Sequence, residues 1–181
     1  MRIIAGKFKG HRLVSFSAHH LRPTTDRVKE SIFNKLQMTT PGSRFLDLFA
    51  GTGALSIEAL SRDAAEVVSV ESNPKSLKII RENLEKLKIS TGVEIQPLDV
   101  FKYLQRYKGA AFDVVLADPP FTQKLADQVM QAIAGSAVIG PGTVVVVEAS
   151  AHETMQDSYP PLVLTDRKDY GDKLVSFFAC P

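Results

Sequence analysis

The chain has 181 residues with 44% hydrophobic and 23% charged side chains, which describes one ordinary globular domain large enough for a real core. No stretch approaches the roughly 20 apolar residues of a membrane span, and the first residues make too short an apolar run for a secretory leader. One cysteine, Cys180, excludes an intrachain disulfide, so a reducing cytoplasm is the expected compartment.

The net charge of +2 hides an uneven distribution. Residues 1–30 hold seven Lys/Arg against Asp26 and Glu30, whereas the remainder holds 15 basic and 18 acidic groups. Arg2–Ala5 and His11–Phe16 flank Gly6-Lys7-Phe8-Lys9-Gly10 as a β-hairpin, and three of the four histidines (His11, His19, His20) lie in the same segment. A basic arm on a mildly acidic body suits a polyanion, and a merely solvated hairpin reads the same way. A helix follows from near Thr25, with Val28, Ile32 and Leu36 on one face and Thr24 or Thr25 as its cap.

From residue 41 short apolar runs alternate with helical patterns, the signature of a parallel sheet wrapped by helices. Strands are expected at 44–49, 66–71, 93–96, 112–117 and 143–148. The helices between them cover 54–60, Pro74 to about Lys88, 101–107 and 124–133. Asn73 is a good N-cap for the second of these and Pro74 a good first residue. Residues 161–169 and 174–180 are both strand-like with only a turn at 170–173 between them, so an antiparallel hairpin closes the sheet. The expected fold is α/β: a Rossmann-like, mostly parallel seven-stranded sheet with an antiparallel C-terminal hairpin, preceded by the basic hairpin and helix. One domain is expected over 1–181, divided into an extension at 1–40 and a core at 41–181.

Asp118-Pro119-Pro120-Phe121 follows the fourth strand directly, at the edge where open α/β sheets bind ligands. The prolines donate no backbone hydrogen bond, the carboxylate only accepts, and the ring offers a stacking face. Acceptors beside a flat face suit a planar group with an exocyclic amine, such as a nucleobase.

The turn Asp47-Leu48-Phe49-Ala50-Gly51-Thr52-Gly53 lacks the last glycine of a dinucleotide fingerprint, Ser56 standing there instead. Asp47 would repel a pyrophosphate but would help hold a cation. Glu71 after the second strand is placed for ribose hydroxyls, and Asp99 after the third for an adenine amine. Each acid alone reads equally as a loop or helix-start carboxylate. Three at the ends of consecutive strands favour S-adenosylmethionine, which carries a sulfonium and an ammonium and no phosphate. Phe49, Gly51, Gly53 and Val100 complete the expected cofactor contacts. The histidines show no zinc spacing, and no metal is expected.

With these residues in place, the chain resembles the bacterial methyltransferases that modify the exocyclic N2 of guanine in 16S ribosomal RNA. The resemblance rests on residues 1–10, Arg22-Pro23-Thr24-Thr25-Asp26-Arg27-Val28, 45–53, Asp118–Phe121 and Tyr170-Gly171-Asp172. The sheet motifs are common to many amino-methyltransferases, whereas the Arg-Pro-Thr-Thr-Asp-Arg segment after a basic hairpin singles out the rRNA enzymes. Phe121 stands where the family more often has Tyr, and Ala5 where it often has Gly.

The resemblance implies that Asp118 and the Pro119 carbonyl orient the amine while Phe121 stacks on an unpaired or flipped base. Arg2, Lys7, Lys9, Arg12, Arg22 and Arg27 would grip phosphates, with Phe8 or Phe16 stacking, and Thr24, Thr25 and Arg27 would help close the site over the cofactor. The expected partner is 16S rRNA or the assembled small subunit, met by a monomer. A DNA adenine or cytosine enzyme, a protein glutamine enzyme and a non-catalytic RNA-binding assembly factor are the competing readings. Tyr170–Lys173 reads as a plain hairpin turn.

Overall fold

The computed structural model describes residues 1–15 and 25–181. The sheet strands are β1 (Arg44–Leu48), β2 (Glu66–Val70), β3 (Val93–Gln96), β4 (Val114–Ala117), β5 (Val144–Ser150), β6 (Ser158–Tyr159), β7 (Leu162–Asp169) and β8 (Lys173–Ala179). They lie in the order β3-β2-β1-β4-β5-β8-β7-β6. The first five are parallel, and β8, β7 and β6 add on antiparallel.

The strand number corrects the expectation of seven. The eighth, β6, has two residues, too short to alternate visibly in the sequence. Tyr159 nevertheless fastens it, buried edge-on against Phe178 with ring centres 5.6 Å apart.

Helices α1 (Asp26–Lys35), α2 (Ala54–Ser61), α3 (Pro74–Lys86), α4 (Val100–Arg106) and α5 (Ala126–Ala134) cover both faces. Because both faces are covered, the central strands are apolar nearly throughout. Leu46, Leu48, Val115 and Val145 pack with Tyr103 and Leu104 of α4 and Val129, Met130 and Ile133 of α5. Phe45, Val67, Val114 and Val146 pack with Val28, Ile32 and Phe33 of α1 and Leu55 and Ala59 of α2. A third cluster joins Ile3 and Leu13 of the amino-terminal arm to Ile57 of α2 and Ile80, Leu84 and Leu87 at α3.

That arm is a hairpin, as expected, but a very short one. Its two sides pair antiparallel at Arg2 and Arg12, with Ile3 N–H donating to the His11 carbonyl at 3.0 Å, Leu13 N–H to the Met1 carbonyl at 3.1 Å and Gly10 N–H to the Ile3 carbonyl at 2.9 Å. Its other backbone donors turn to α2. Ile4 and Ala5 N–H donate to the Glu58 carboxylate at 2.8 and 3.0 Å, Lys7 N–H to the Ser61 carbonyl at 2.8 Å, and Phe8 N–H to the Ser61 hydroxyl at 2.9 Å. The surface of α2 takes the donors that the short hairpin leaves unpaired.

Among the described residues no helix is long and apolar enough to cross a membrane.

Candidate functional site

The parallel strands put their carboxyl ends on one edge, and the strand order reverses between β1 and β4, which opens a crevice there. Asp47 lies in β1 between Ser69 of β2 and Leu116 of β4. It is buried, and its Oδ2 accepts from the Ser56 N–H at 3.0 Å and from the Ser56 hydroxyl, which itself meets the Ser69 hydroxyl at 2.7 Å. Asp47 Oδ1 is the one buried side-chain polar atom among the described residues without a hydrogen-bond partner. Burial in this apolar setting, against the help of Ser56, pushes the carboxyl up to about 7, and the nearby Glu71 and Glu148 act in the same direction.

After Leu48 the chain turns sharply. Phe49 has φ 66°, and Gly51 and Gly53 have φ 57° and 77°. Gly53 would tolerate a Cβ sterically, since the nearest atoms, on Ile80, stand 3.4 Å away, so its left-handed backbone is what calls for glycine. Phe49 has no such freedom and sits in a sparsely populated region, a strain typical of sites held for a purpose. The turn is pinned from β2: Glu71 Oε2 accepts from Gly51 N–H at 2.8 Å, and Oε1 from Asn73 N–H at 2.7 Å. Asp99, exposed at the end of the next loop, caps α4 by accepting from Lys102 N–H at 3.1 Å, and Val100 beside it is buried.

Across the crevice β4 runs into Asp118, half-buried, Pro119, buried, Pro120, exposed, and Phe121, half-buried. Phe121–Gln123 makes one 3-10 turn, stopped at Lys124 by a left-handed φ of 49°. Lys173, the first residue of β8, places its ammonium 4.5 Å from the Phe121 ring centre and 2.9 Å from Glu148 Oε2 on β5. Both charged groups are buried. A cavity of about 240 Å³ adjoins them, lined by Phe121, Ser150, His152, Asp172 and Lys173.

The arm docks beside the glycine turn. Asn83 of α3 accepts from Val14 N–H at 2.7 Å and donates to the carbonyls of Val14 and Thr52, each at 3.0 Å, so one amide ties arm, helix and turn. Glu58 also receives Arg62 at 2.8 Å and the buried ammonium of Lys29 at 3.3 Å. Burial pulls the Lys29 ammonium below its ordinary pKa, with Glu58 opposing.

Comparison with known proteins gives this geometry its context. The family described as "Conserved hypothetical protein 95" matches residues 1–179. Ribosomal RNA small subunit methyltransferase D of Haemophilus influenzae is 38% identical over 152 residues, 82% of this chain and 78% of that one. The chain belongs to this family. The Escherichia coli member of the same name is 33% identical over 82% of this chain and 74% of its own length. Among solved structures, yhhF of Escherichia coli superposes with a TM-score of 0.85 at 29% identity, covering 99% of this chain and 97% of that one. A more distant chain, solved in complex with SAH, shares the fold alone, with a TM-score of 0.68 at 15% identity over 88% of this chain and 51% of that one.

Among the residues singled out from the sequence, Asp47, Phe49, Gly51, Gly53 and Glu71 lie together at the crevice, with Gly51 bonded to Glu71 and Asp47 to Ser56. Asp118, Pro119 and Phe121 stand at the end of the adjacent strand. Thr25 caps α1, its hydroxyl accepting from Val28 N–H at 3.3 Å. Arg2, Lys7, Lys9, Arg12 and Arg27 are exposed, with Arg2 paired to Asp26 at 2.8 Å and Lys7 to Asp63 at 3.9 Å. Phe8 packs in part on the Ile57–Ile80 cluster beneath Lys7, a packing role beside the stacking role expected of it. Arg22, Thr24, Phe16, His19 and His20 lie outside the described residues.

Sequence reasoning missed Glu58, Asn83 and the Glu148–Lys173 pair. Two of them left a signal: Glu58 is the lone charge in the otherwise buried helix Ala54–Ser61, and Glu148 follows directly on a run of four valines within one strand. A buried charge must have a partner, and that demand was readable even though the partner was not.

Proposed function

We propose that this chain transfers a methyl group from S-adenosylmethionine to the exocyclic N2 amine of a guanine in the 16S RNA of the small ribosomal subunit. The observation that carries this reading is the Asp118–Phe121 turn, an acceptor set with an aromatic face standing across the switch point from the glycine turn. The cofactor fits the acids present. Asp47, with a buried oxygen lacking a partner, answers to the ammonium, Glu71 to the ribose hydroxyls and Asp99 to the adenine amine, with Phe49, Gly51, Gly53, Val100 and Thr25 around them. S-adenosylmethionine supplies an activated methyl group on its sulfonium, so the reaction calls for no metal.

The protein's own part is positioning. Guanine's amine is a poor nucleophile because its lone pair is delocalised into the ring, and a carboxylate is too weak to deprotonate it outright. Asp118 and the Pro119 carbonyl accept the two amine hydrogens, which aims the developing lone pair out of the ring plane while Phe121 stacks on the base. As positive charge grows on nitrogen, the Asp118 carboxylate stabilises it, and the proton that the methylated amine then sheds would pass through Asp118 to solvent, leaving the demethylated cofactor as a neutral thioether. A base presented in this way is unpaired or flipped out of its helix.

Arg2, Lys7, Lys9, Arg12, Arg22 and Arg27 hold the RNA backbone, an electrostatic grip that favours a polyribonucleotide over a protein glutamine. The resemblance of the Arg22–Val28 segment points to guanine 966, met by a monomer in the cytoplasm as naked rRNA or assembled subunit. The test is Asp118→Ala. Methylation of a small-subunit rRNA substrate is expected to fall by about 100-fold or more, as when one transition-state stabilising group is lost, with S-adenosylmethionine affinity by calorimetry changed little. Turnover at the wild-type rate by this variant overturns the assignment.

A further inference from the structure

The Glu148–Lys173 pair has no place in the mechanism above, yet it touches it. The two side chains are 2% and 5% exposed, come from strands that are neighbours in the sheet, and meet at 2.9 Å. Burying two charges costs several kcal/mol even when they are paired, and an apolar pair of the same size is often as stable. Stability alone is therefore a weak reason for this pair to stand here. Its location supplies a better one: the ammonium lies over a face of the Phe121 ring, 4.5 Å from its centre. Phe121 begins a single 3-10 turn after two prolines and is only half-buried, so neither a long helix nor dense packing fixes its ring. The turn carrying Lys173 is itself held, by Ala151 N–H on the Asp172 carbonyl at 3.0 Å and Tyr170 N–H on the Lys173 carbonyl at 2.8 Å.

We propose that Lys173, held by Glu148, is a positioning residue for methyl transfer, clamping one face of Phe121 so that the ring offers its opposite face to the target base. This rests on the stacking role given to Phe121 above. The physical logic is that of preorganisation. A ring with one face occupied by a cation has lost the rotamers that would turn it away, so the base meets a fixed platform and not a mobile one. The clamp comes from β8, two strands away from β4, which makes the C-terminal hairpin a part of the site and not only its edge.

The test uses the full chain, S-adenosylmethionine and small-subunit rRNA, with the variants Lys173→Met, Glu148→Gln/Lys173→Met and Phe121→Leu, and Phe121→Leu combined with the pair substitution. The double change removes both charges together, so that neither is left buried alone if Lys173→Met fails to fold. We expect Glu148→Gln/Lys173→Met to lower kcat about tenfold while S-adenosylmethionine affinity stays within about twofold, and the same pair substitution in the Phe121→Leu background to add less than about twofold.

A merely structural pair predicts the opposite pattern, with affinity and activity falling together and effects that multiply in the Phe121→Leu background. That result overturns the proposal, as does unchanged kcat in the pair variant when Phe121→Leu is impaired. Wild-type turnover by Phe121→Leu itself overturns the stacking role and the clamp with it. Failure of the clamp alone therefore reads differently from failure of the mechanism.

Discussion

Asp47 is 1% exposed, with Ser56 on one carboxyl oxygen and no protein partner on the other, and its pKa is raised from 3.8 to about 7 by desolvation first of all. Between those two values the native chain keeps a proton that the unfolded chain has released. Stability therefore falls as pH rises through that window and levels off above it. Asp47→Asn is expected to flatten that decline, read as thermal midpoints at pH 5 and pH 8. An equally steep decline in the variant counts against the burial argument. The cofactor's ammonium needs the charged carboxylate, so S-adenosylmethionine affinity is expected to weaken by up to about tenfold for each pH unit below 7, with proton release visible as a buffer-dependent binding enthalpy at pH 6. Affinity flat from pH 6 to pH 8 removes Asp47 from the ammonium site. The position of Asp47 before a glycine turn was plain in the sequence. Its protonation was not, because that depends on how completely α2 and β2 cover it. Phe49 is similar: its place in the turn was legible, while its φ of 66° belongs to the fold.

The amino-terminal arm shows the same division among elements. Its charge and its glycines announced a basic loop, but its anchor points are side chains far along the chain. Gly6, with φ 79°, presses so closely on α2 that a Cβ there would stand 1.7 Å from the Ser61 carbonyl oxygen. Gly6→Ala must therefore lift the arm or shift α2, and faster proteolytic cleavage within residues 1–15 is the expected sign. A digestion pattern like that of the wild type would show that the contact yields. Glu58 is more deeply committed, since it collects Ile4, Ala5, Arg62 and Lys29 at once. Glu58→Ala leaves the Lys29 ammonium buried without its carboxylate, and a loss of about 3–5 kcal/mol in denaturant unfolding is expected. A loss below about 1 kcal/mol would mean that Lys29 finds water or sheds its proton cheaply. Helix limits were readable to within a residue or two from caps such as Asn73 and Asp99, because capping is local chemistry.

Across the whole molecule, the five parallel strands followed from alternating apolar runs and helices, and the antiparallel finish from a turn too short to hold a crossover, whereas the order of the strands in the sheet came only with the structure. The two-residue β6 escaped because it is too short to alternate visibly, and the docking of the arm on α2 because those bonds are made to partners 53 and 54 residues away. The charge asymmetry gives a prediction at this scale. Neutralising Lys9, Arg12 and Arg27 together is expected to reduce the slope of log affinity for single-stranded rRNA against log salt by about 2, near 0.7 per lost phosphate contact. A slope identical to that of the wild type would place the RNA elsewhere. The docking of Ile3 and Leu13 with Ile57 and Ile80 also bears on how this protein can be cut. A shortened version beginning near residue 41 looks like a self-sufficient unit of chemistry with a dispensable handle removed. It would instead be a shell opened on one side, with oily side chains facing water and a Glu58 that keeps only Arg62, better suited to clumping than to catalysis.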